Sequence, residues 1–131
     1  MDKNTVLLVD DTSYIIYYFE KILMDKVFKK FNLEVIGSAK NGLEAIKFHK
    51  KEKPLITFMD ISMPNMNGLE ALAEIKKIKK EAIVIFVTAL GNKDKVIEAV
   101  QLGAAGYILK PFKKEQILDI LEKLKNKGEL K

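Results

Sequence analysis

The sequence predicts an α/β fold built on one five-stranded parallel sheet, with helices on both faces. Three observations predict it. Five short apolar runs alternate with amphipathic, helix-period stretches along the chain. Turn-forming residues punctuate the alternation. Three of the runs are apolar at nearly every position, as strands covered on both faces must be.

The first run is Val6-Leu7-Leu8-Val9, and the stretch after it offers Ile15, Phe19, Ile22 and Leu23 as an inward face. The second, Val35-Ile36, is short and flanked by Glu34, Gly37 and Ser38. Asn41-Gly42 breaks the chain before a helix with Leu43 and Ile46 inward. Pro54 precedes the third run, Leu55 to Met59, and Asn67-Gly68 precedes a helix facing inward through Leu69, Leu72 and Ile75. The fourth run, Ile83 to Val87, leads through Gly91-Asn92 to a helix with Val96, Ile97 and Val100 inward. After Gly103 comes the fifth run, Tyr107-Ile108-Leu109, then Pro111 and a last helix facing inward through Ile117, Ile120, Leu121 and Leu124. The second and fifth runs read as edges. With right-handed crossovers, the order 2-1-3-4-5 satisfies this, the flavodoxin-like doubly wound arrangement.

With 131 residues and no long linker or internal repeat, one domain spanning residues 1–131 is expected. The polar tail from Lys123 to Lys131 is expected to fray. There is no cysteine, so disulfides, thiolate metal sites and cysteine nucleophiles are excluded. The single histidine, His49, excludes multi-histidine metal centres and reads as a boundary residue on its helix. All 23 basic residues are lysine, which leaves no bidentate guanidinium for reading bases, so no nucleic-acid partner is expected. No run approaches the ~18 apolar residues of a spanning helix. Met1 to Asn4 lacks the apolar core of a secretory signal. A cytoplasmic monomer is the expectation.

In open α/β sheets, ligands bind outside the carboxyl ends of the strands. Asp10 and Asp11 follow the first run, Asp60 the third, Thr88 the fourth and Lys110 the fifth. Each has a bland reading by itself: the acidic pair as a helix cap, Asp60 as a turn residue, Thr88 as an ordinary strand residue. Together they place three carboxylates, a hydroxyl and an ammonium on one rim. Clustered carboxylates repel unless a cation compensates them. Oxygen ligands without histidine or cysteine suit Mg²⁺, which prefers a substrate bringing further oxygens. No phosphate-cradling glycine loop is present. An aspartate that itself receives a phosphoryl group fits what remains.

Four motifs then carry a family resemblance: Val9-Asp10-Asp11, the run from Met59 to Gly68 (Met-Asp-Ile-Ser-Met-Pro-Asn-Met-Asn-Gly), Val87-Thr88-Ala89, and Gly103 to Phe112. The chain resembles the receiver domain of two-component response regulators over about residues 4 to 125. The resemblance implies that Asp60 is the phosphoacceptor, with Asp10, Asp11, Asp60 and the main-chain carbonyl of Ser62 around Mg²⁺. It implies that Thr88 is the switch hydroxyl and Tyr107 the switch aromatic. Lys110 would pair with the phosphoryl oxygens, and the Lys110-Pro111 bond would be cis. Ala89 would leave room for a phosphodonor. A histidine kinase is implied as that donor, and a downstream protein as the target.

Within the family, Val96 to Val100, Gly103-Ala104 and Lys110 to Phe112 suit a stand-alone regulator of the chemotaxis type, whose target would be the flagellar motor switch. A phosphorelay intermediate would look much the same. The segment from Glu20 to Leu33 is longer than usual for the family, an extended first helix and loop. The resemblance implies that Leu90 and Ser62, each two residues past a site residue, bear on how water reaches the phosphoryl group. Tyr14, Tyr17 and Tyr18 read as half-buried bulk. An aspartate-nucleophile phosphatase is the competing class. It wants a second acid two residues after the nucleophile, where this chain has Ser62, or Thr12 counted from Asp10.

Overall fold

The computed structural model describes residues 2–63, 66–89 and 93–131. Strands β1 (Asn4–Val9), β2 (Leu33–Ala39), β3 (Ile56–Asp60), β4 (Ile83–Thr88) and β5 (Gly106–Leu109) form one parallel sheet in the order β2-β1-β3-β4-β5. Helices α1 (Ser13–Leu23), α2 (Gly42–Glu52), α3 (Gly68–Ile78), α4 (Lys93–Gln101) and α5 (Lys114–Asn126) connect them. The predicted order and both predicted edges are present.

Alternation along the central strands builds two cores. Val6, Leu8, Ile56, Phe58, Ile83, Ile85 and Val87 face α1 and α5, while Leu7, Val9, Met59, Val84 and Phe86 face α2, α3 and α4. Asp10, Asp60 and Lys110 continue the parity of the first set; Thr88 continues that of the second. Thus three charged groups leave the strand ends toward one side of the rim.

Helix starts are set by local chemistry. Asn67 accepts from the Glu70 amide while Glu70 accepts from the Asn67 amide, a reciprocal cap that starts α3. Asn41 accepts from the Glu44 amide at 2.9 Å at the start of α2. Both Asn-Gly pairs therefore act as helix caps as well as breakers. At Gly68 a Cβ would lie 2.6 Å from the Phe86 ring and 2.9 Å from the Asp60 carbonyl oxygen, so only glycine lets α3 start this close to the third strand's end.

Several expectations are corrected. The extra length after Glu20 is a separate 3₁₀ helix, Lys26–Phe31, after α1 ends at Leu23. Asp25 caps it, and its Phe28 and Phe31 are both buried in the core shared with α1 and α5. β2 has seven residues, not two. Val6 pairs with Val35 and Leu7 with Gly37, so Ile36 is an extra residue that bends the edge. Leu43, Ile97 and Val100 are exposed; Ala45 and Ala99 hold the inward positions, because small residues let α2 and α4 approach closely. His49 is fully buried, its Nε2 2.8 Å from the Thr57 hydroxyl. Tyr14, Tyr17 and Tyr18 lie on the solvent side of α1. The tail does not fray. Gly128, at φ 77°, closes α5 with the Glu129 amide on the Leu124 carbonyl, and Leu130 packs on the core. The buried Asn4 amide then bonds residue 131 at both its N–H and its C=O.

Candidate functional site

The carboxyl ends of β1, β3 and β5 bring the predicted acidic cluster and lysine together. Carboxylate oxygens of Asp10, Asp11 and Asp60 all lie within 4.8 Å of one another. The Lys110 ammonium sits 3.2 Å from Asp10 Oδ2 and 3.3 Å from Asp60 Oδ2, bridging both. Asp10 and Asp60 are buried and Asp11 is exposed. The cluster therefore has one open side.

Local backbone fixes each group. Asp10 Oδ1 accepts from the Thr12 amide at 2.9 Å, a turn bond just before α1, whose N-cap Thr12 makes no side-chain cap; Asp10 is therefore not the helix cap, and its other oxygen faces Lys110. Asp60 Oδ1 accepts from the Ser62 amide at 3.1 Å. Ser62 meets the site through its N–H in this structure. The Lys110 amide donates to the Thr88 carbonyl at 2.7 Å, which ties the end of β5 to β4, and the Lys110-Pro111 bond is cis. Thr88 is buried on the neighbouring strand, its hydroxyl 3.4 Å from the Ala89 carbonyl. Tyr107 is not inside the site: it lies on the outer edge strand, half exposed. The expectations placed on Pro64, Asn65, Leu90, Gly91 and Asn92 fall outside the described residues.

Burial pushes the Asp60 carboxyl above the ordinary carboxylate range; the Asp10 charge adds to this, and the Ser62 amide and Lys110 offset only part of it. For Lys110, burial works against the charged form. The facing Asp60 and Asp10 outweigh it and hold its pKa above that of an ordinary lysine. Such a site is short of positive charge. Three hard oxygen donors within reach of one small cation fit Mg²⁺, and one lysine cannot neutralise three carboxylates.

The sequence did not single out the surroundings of Lys110. Phe112 is buried; its ring meets Phe19 at 4.9 Å and Tyr18 at 5.5 Å. The signal was available only as an aromatic cluster at Tyr14 to Phe19, whose spacing says nothing of its partner.

A doubly wound fold of this order with an acidic rim at its strand ends defines the receiver class of signalling domain. The chain belongs to the response regulator receiver domain family, whose pattern matches residues 6–122. It is 40% identical to the chemotaxis protein CheY of Thermotoga maritima over 119 residues, 91% of this chain and 95% of that one. Among solved structures, the receiver domain of AraT, a response regulator from Geobacillus stearothermophilus, superposes with a TM-score of 0.85 at 28% identity, covering 95% of each chain. CheY in a CheX–CheY–BeF₃–Mg²⁺ complex from Borrelia burgdorferi superposes at 0.80 with 30% identity, covering 92% of this chain and 87% of that one. Among the described residues, no helix is long and apolar enough to cross a membrane.

Proposed function

We propose that this chain, as a single receiver unit, is a switch that accepts a phosphoryl group on Asp60 from a histidine kinase. A carboxylate oxygen of Asp60 attacks phosphorus, and the donor nitrogen leaves with the bonding pair. Asp10, Asp11, Asp60 and the Ser62 carbonyl would hold Mg²⁺, which supplies charge neutralisation for the transferring group when bound. Lys110, already between Asp10 and Asp60, neutralises phosphoryl oxygens, and Thr88 donates a hydrogen bond to one of them. The observation that carries this reading is the ammonium of Lys110 held against two carboxylates within a three-carboxylate cluster.

The output surface is α4, β5 and α5. Ile97 and Val100 are 50% and 55% exposed, and Tyr107 and Leu109 continue the apolar surface on β5. Exposed apolar groups on adjoining elements are the mark of a partner site. Thr88 and Tyr107 flank this surface, so drawing Thr88 and Lys110 toward a phosphorylated Asp60 would repack it, Tyr107 turning inward. The similarity to chemotaxis regulators favours a target of that pathway, the flagellar motor switch, read by a cytoplasmic monomer.

The test is direct. Incubation with acetyl phosphate and Mg²⁺ adds one phosphoryl group, labile to hydroxylamine, and the Asp60→Asn variant takes up none. Full labelling of that variant overturns the assignment.

A further inference from the structure

Lys110 does its work at the end of a strand that is poorly supported. β5 has four residues and one sheet neighbour, β4. Beyond Lys110 the chain leaves the sheet through Pro111 and Phe112 and re-enters regular structure only at Lys114. The Lys110 amide is tied to the Thr88 carbonyl at 2.7 Å, so the part still to be held against the site is Pro111 to Lys113. The structure shows what touches it: a ladder of rings. Phe58, two residues before Asp60 on β3, meets Phe19 of α1 at 4.6 Å. Phe19 meets Phe112 at 4.9 Å, and Phe112 meets Tyr18 at 5.5 Å. The Tyr18 hydroxyl also donates to the Phe112 carbonyl at 3.4 Å. That carbonyl belongs to neither β5 nor α5.

We propose that Tyr18 is a positioning residue for Lys110: it clamps Phe112 from the solvent side of α1 and so sets where the ammonium meets the phosphoryl group. The inference rests on the phosphoacceptor reading of Asp60. Tyr14 lines the same pocket beside Lys110, but the ring and hydroxyl contacts with Phe112 are those of Tyr18. Tyr14 is 71% exposed, and the Tyr17 ring, 60% exposed, meets the Lys21 ammonium at 5.2 Å on the outer side of the helix. Tyr18, at 40%, is the tyrosine of α1 whose ring and hydroxyl both reach the segment carrying Lys110. The ladder is continuous from the strand of the phosphoacceptor to the segment after the lysine. Its rings hold the distance between them through packing, since aromatic pairs prefer tilted or offset geometries and gain from them beyond the area they bury. The long hydroxyl contact makes the ring the larger contributor and the hydrogen bond the smaller.

A structural role alone would weaken every property of the site together. A positioning role acts on phosphoryl chemistry and spares the metal, because Tyr18 touches none of the three carboxylates. The experiment measures two quantities on wild type, Tyr18→Ala, Tyr18→Phe, Lys110→Ala and the Lys110→Ala/Tyr18→Ala double variant. These are the Mg²⁺ dissociation constant, from amide shifts, and the rate of Asp60 phosphorylation by acetyl phosphate at saturating Mg²⁺. Tyr18→Ala should lower the rate about tenfold, the scale on which small misplacements of a catalytic group act, with Mg²⁺ affinity within twofold of wild type. Tyr18→Phe should restore most of the rate. The double variant should be no slower than Lys110→Ala, because Tyr18 acts through that lysine. Wild-type rate in Tyr18→Ala, a parallel loss of Mg²⁺ affinity, or additive losses in the double variant would each overturn the inference while leaving Asp60 as the phosphoacceptor. A wild-type protein that takes no phosphoryl group on Asp60 overturns both.

Discussion

The two ends of the sheet carry opposite charge in opposite states of burial. At the carboxyl ends of the strands, Asp10 and Asp60 are buried and meet one lysine. At the amino ends, residues 2–3, 24–34, 50–53, 76–81 and 122–131 hold fifteen of the 23 lysines and seven of the 18 acids. Most of that basic charge sits at or just beyond helix C-termini, in the last turns of α2, α3 and α5 and the turns that follow. There the helix dipole favours cations and water screens them. The buried titratable group near that end is uncharged: His49, on the last turns of α2, bonded to Thr57 near the start of β3. Many charges at the base cost little because they are wet, whereas three at the rim cost stability because two are dry. The rim keeps buried charge; the base keeps its interior neutral.

The largest effect should come from the base. His49→Ala removes a fully buried ring and strands the Thr57 hydroxyl, so we expect a loss of about 3 kcal/mol in urea denaturation at pH 7.5. His49 also sets an acid limit. Burial, with Lys79 assisting, pushes its pKa from 6.5 down to about 4. Above pH 6.5 neither the folded nor the unfolded form binds the proton. As pH falls from 6.5 toward 4 the unfolded form binds it first, so stability drops by up to about 1.4 kcal/mol per unit. A stability profile flat across this window in wild type would contradict the buried neutral imidazole. His49→Gln should flatten it.

The rim should respond with the opposite sign. The Asp60 pKa lies above its unfolded value, so the folded form binds the proton more readily. Its destabilising contribution is present at neutral pH and is relieved as pH falls through the folded pKa. Asp60→Asn should therefore stabilise the metal-free protein at pH 7.5, while Lys110 keeps Asp10 as a partner. The gain should shrink on acidification. Destabilisation by Asp60→Asn would mean that the pair with Lys110 outweighs crowding and burial.

Sequence reasoning was uneven in a way that follows the same division. Strand order and the clustering of Asp10, Asp11, Asp60 and Lys110 were legible because Val6–Val9, Leu55–Met59 and Ile83–Val87 report two-sided burial directly, and the strand ends follow from them. The site needed only to know which residues end strands. Helix faces were legible where large residues point inward, as at Leu69, Leu72 and Ile75. They were misread where alanine does the packing, at Ala45 and Ala99, because large neighbours such as Leu43 and Ile97 dominate the pattern. His49 was misread for a related reason. A polar ring can be buried when one hydroxyl across the helix–strand interface answers it, and Thr57 lies on another element. The pinned tail depends on Asn4, 127 residues away.

A cation should sharpen the contrast by acting at one end alone. Mg²⁺ binding to the native rim stabilises by RT ln(1 + [Mg²⁺]/Kd), about 1.4 kcal/mol at ten times Kd. The melting temperature of wild type should rise accordingly, with little change for Asp11→Ala, while His49→Gln should show the same increment as wild type. An increment lost in the His49 variant would mean that the two ends are coupled through the sheet.

The smallest expected effect decides between two causes at the base. His49 lies low in pKa because burial penalises the imidazolium, and secondarily because the Lys79 ammonium repels it. Lys79 is half-buried, and its Nζ reaches the Lys53 carbonyl at 3.5 Å, where water screens much of its charge. Lys79→Gln should therefore raise the His49 pKa by no more than about half a unit. The chain has one histidine, so its ring proton gives a single unambiguous NMR titration. A return to near 6.5 would assign the depression to charge, making the lysine-rich base an active electrostatic influence on the interior. A small shift leaves burial as the cause, and the lysines as solvated charge held at helix ends.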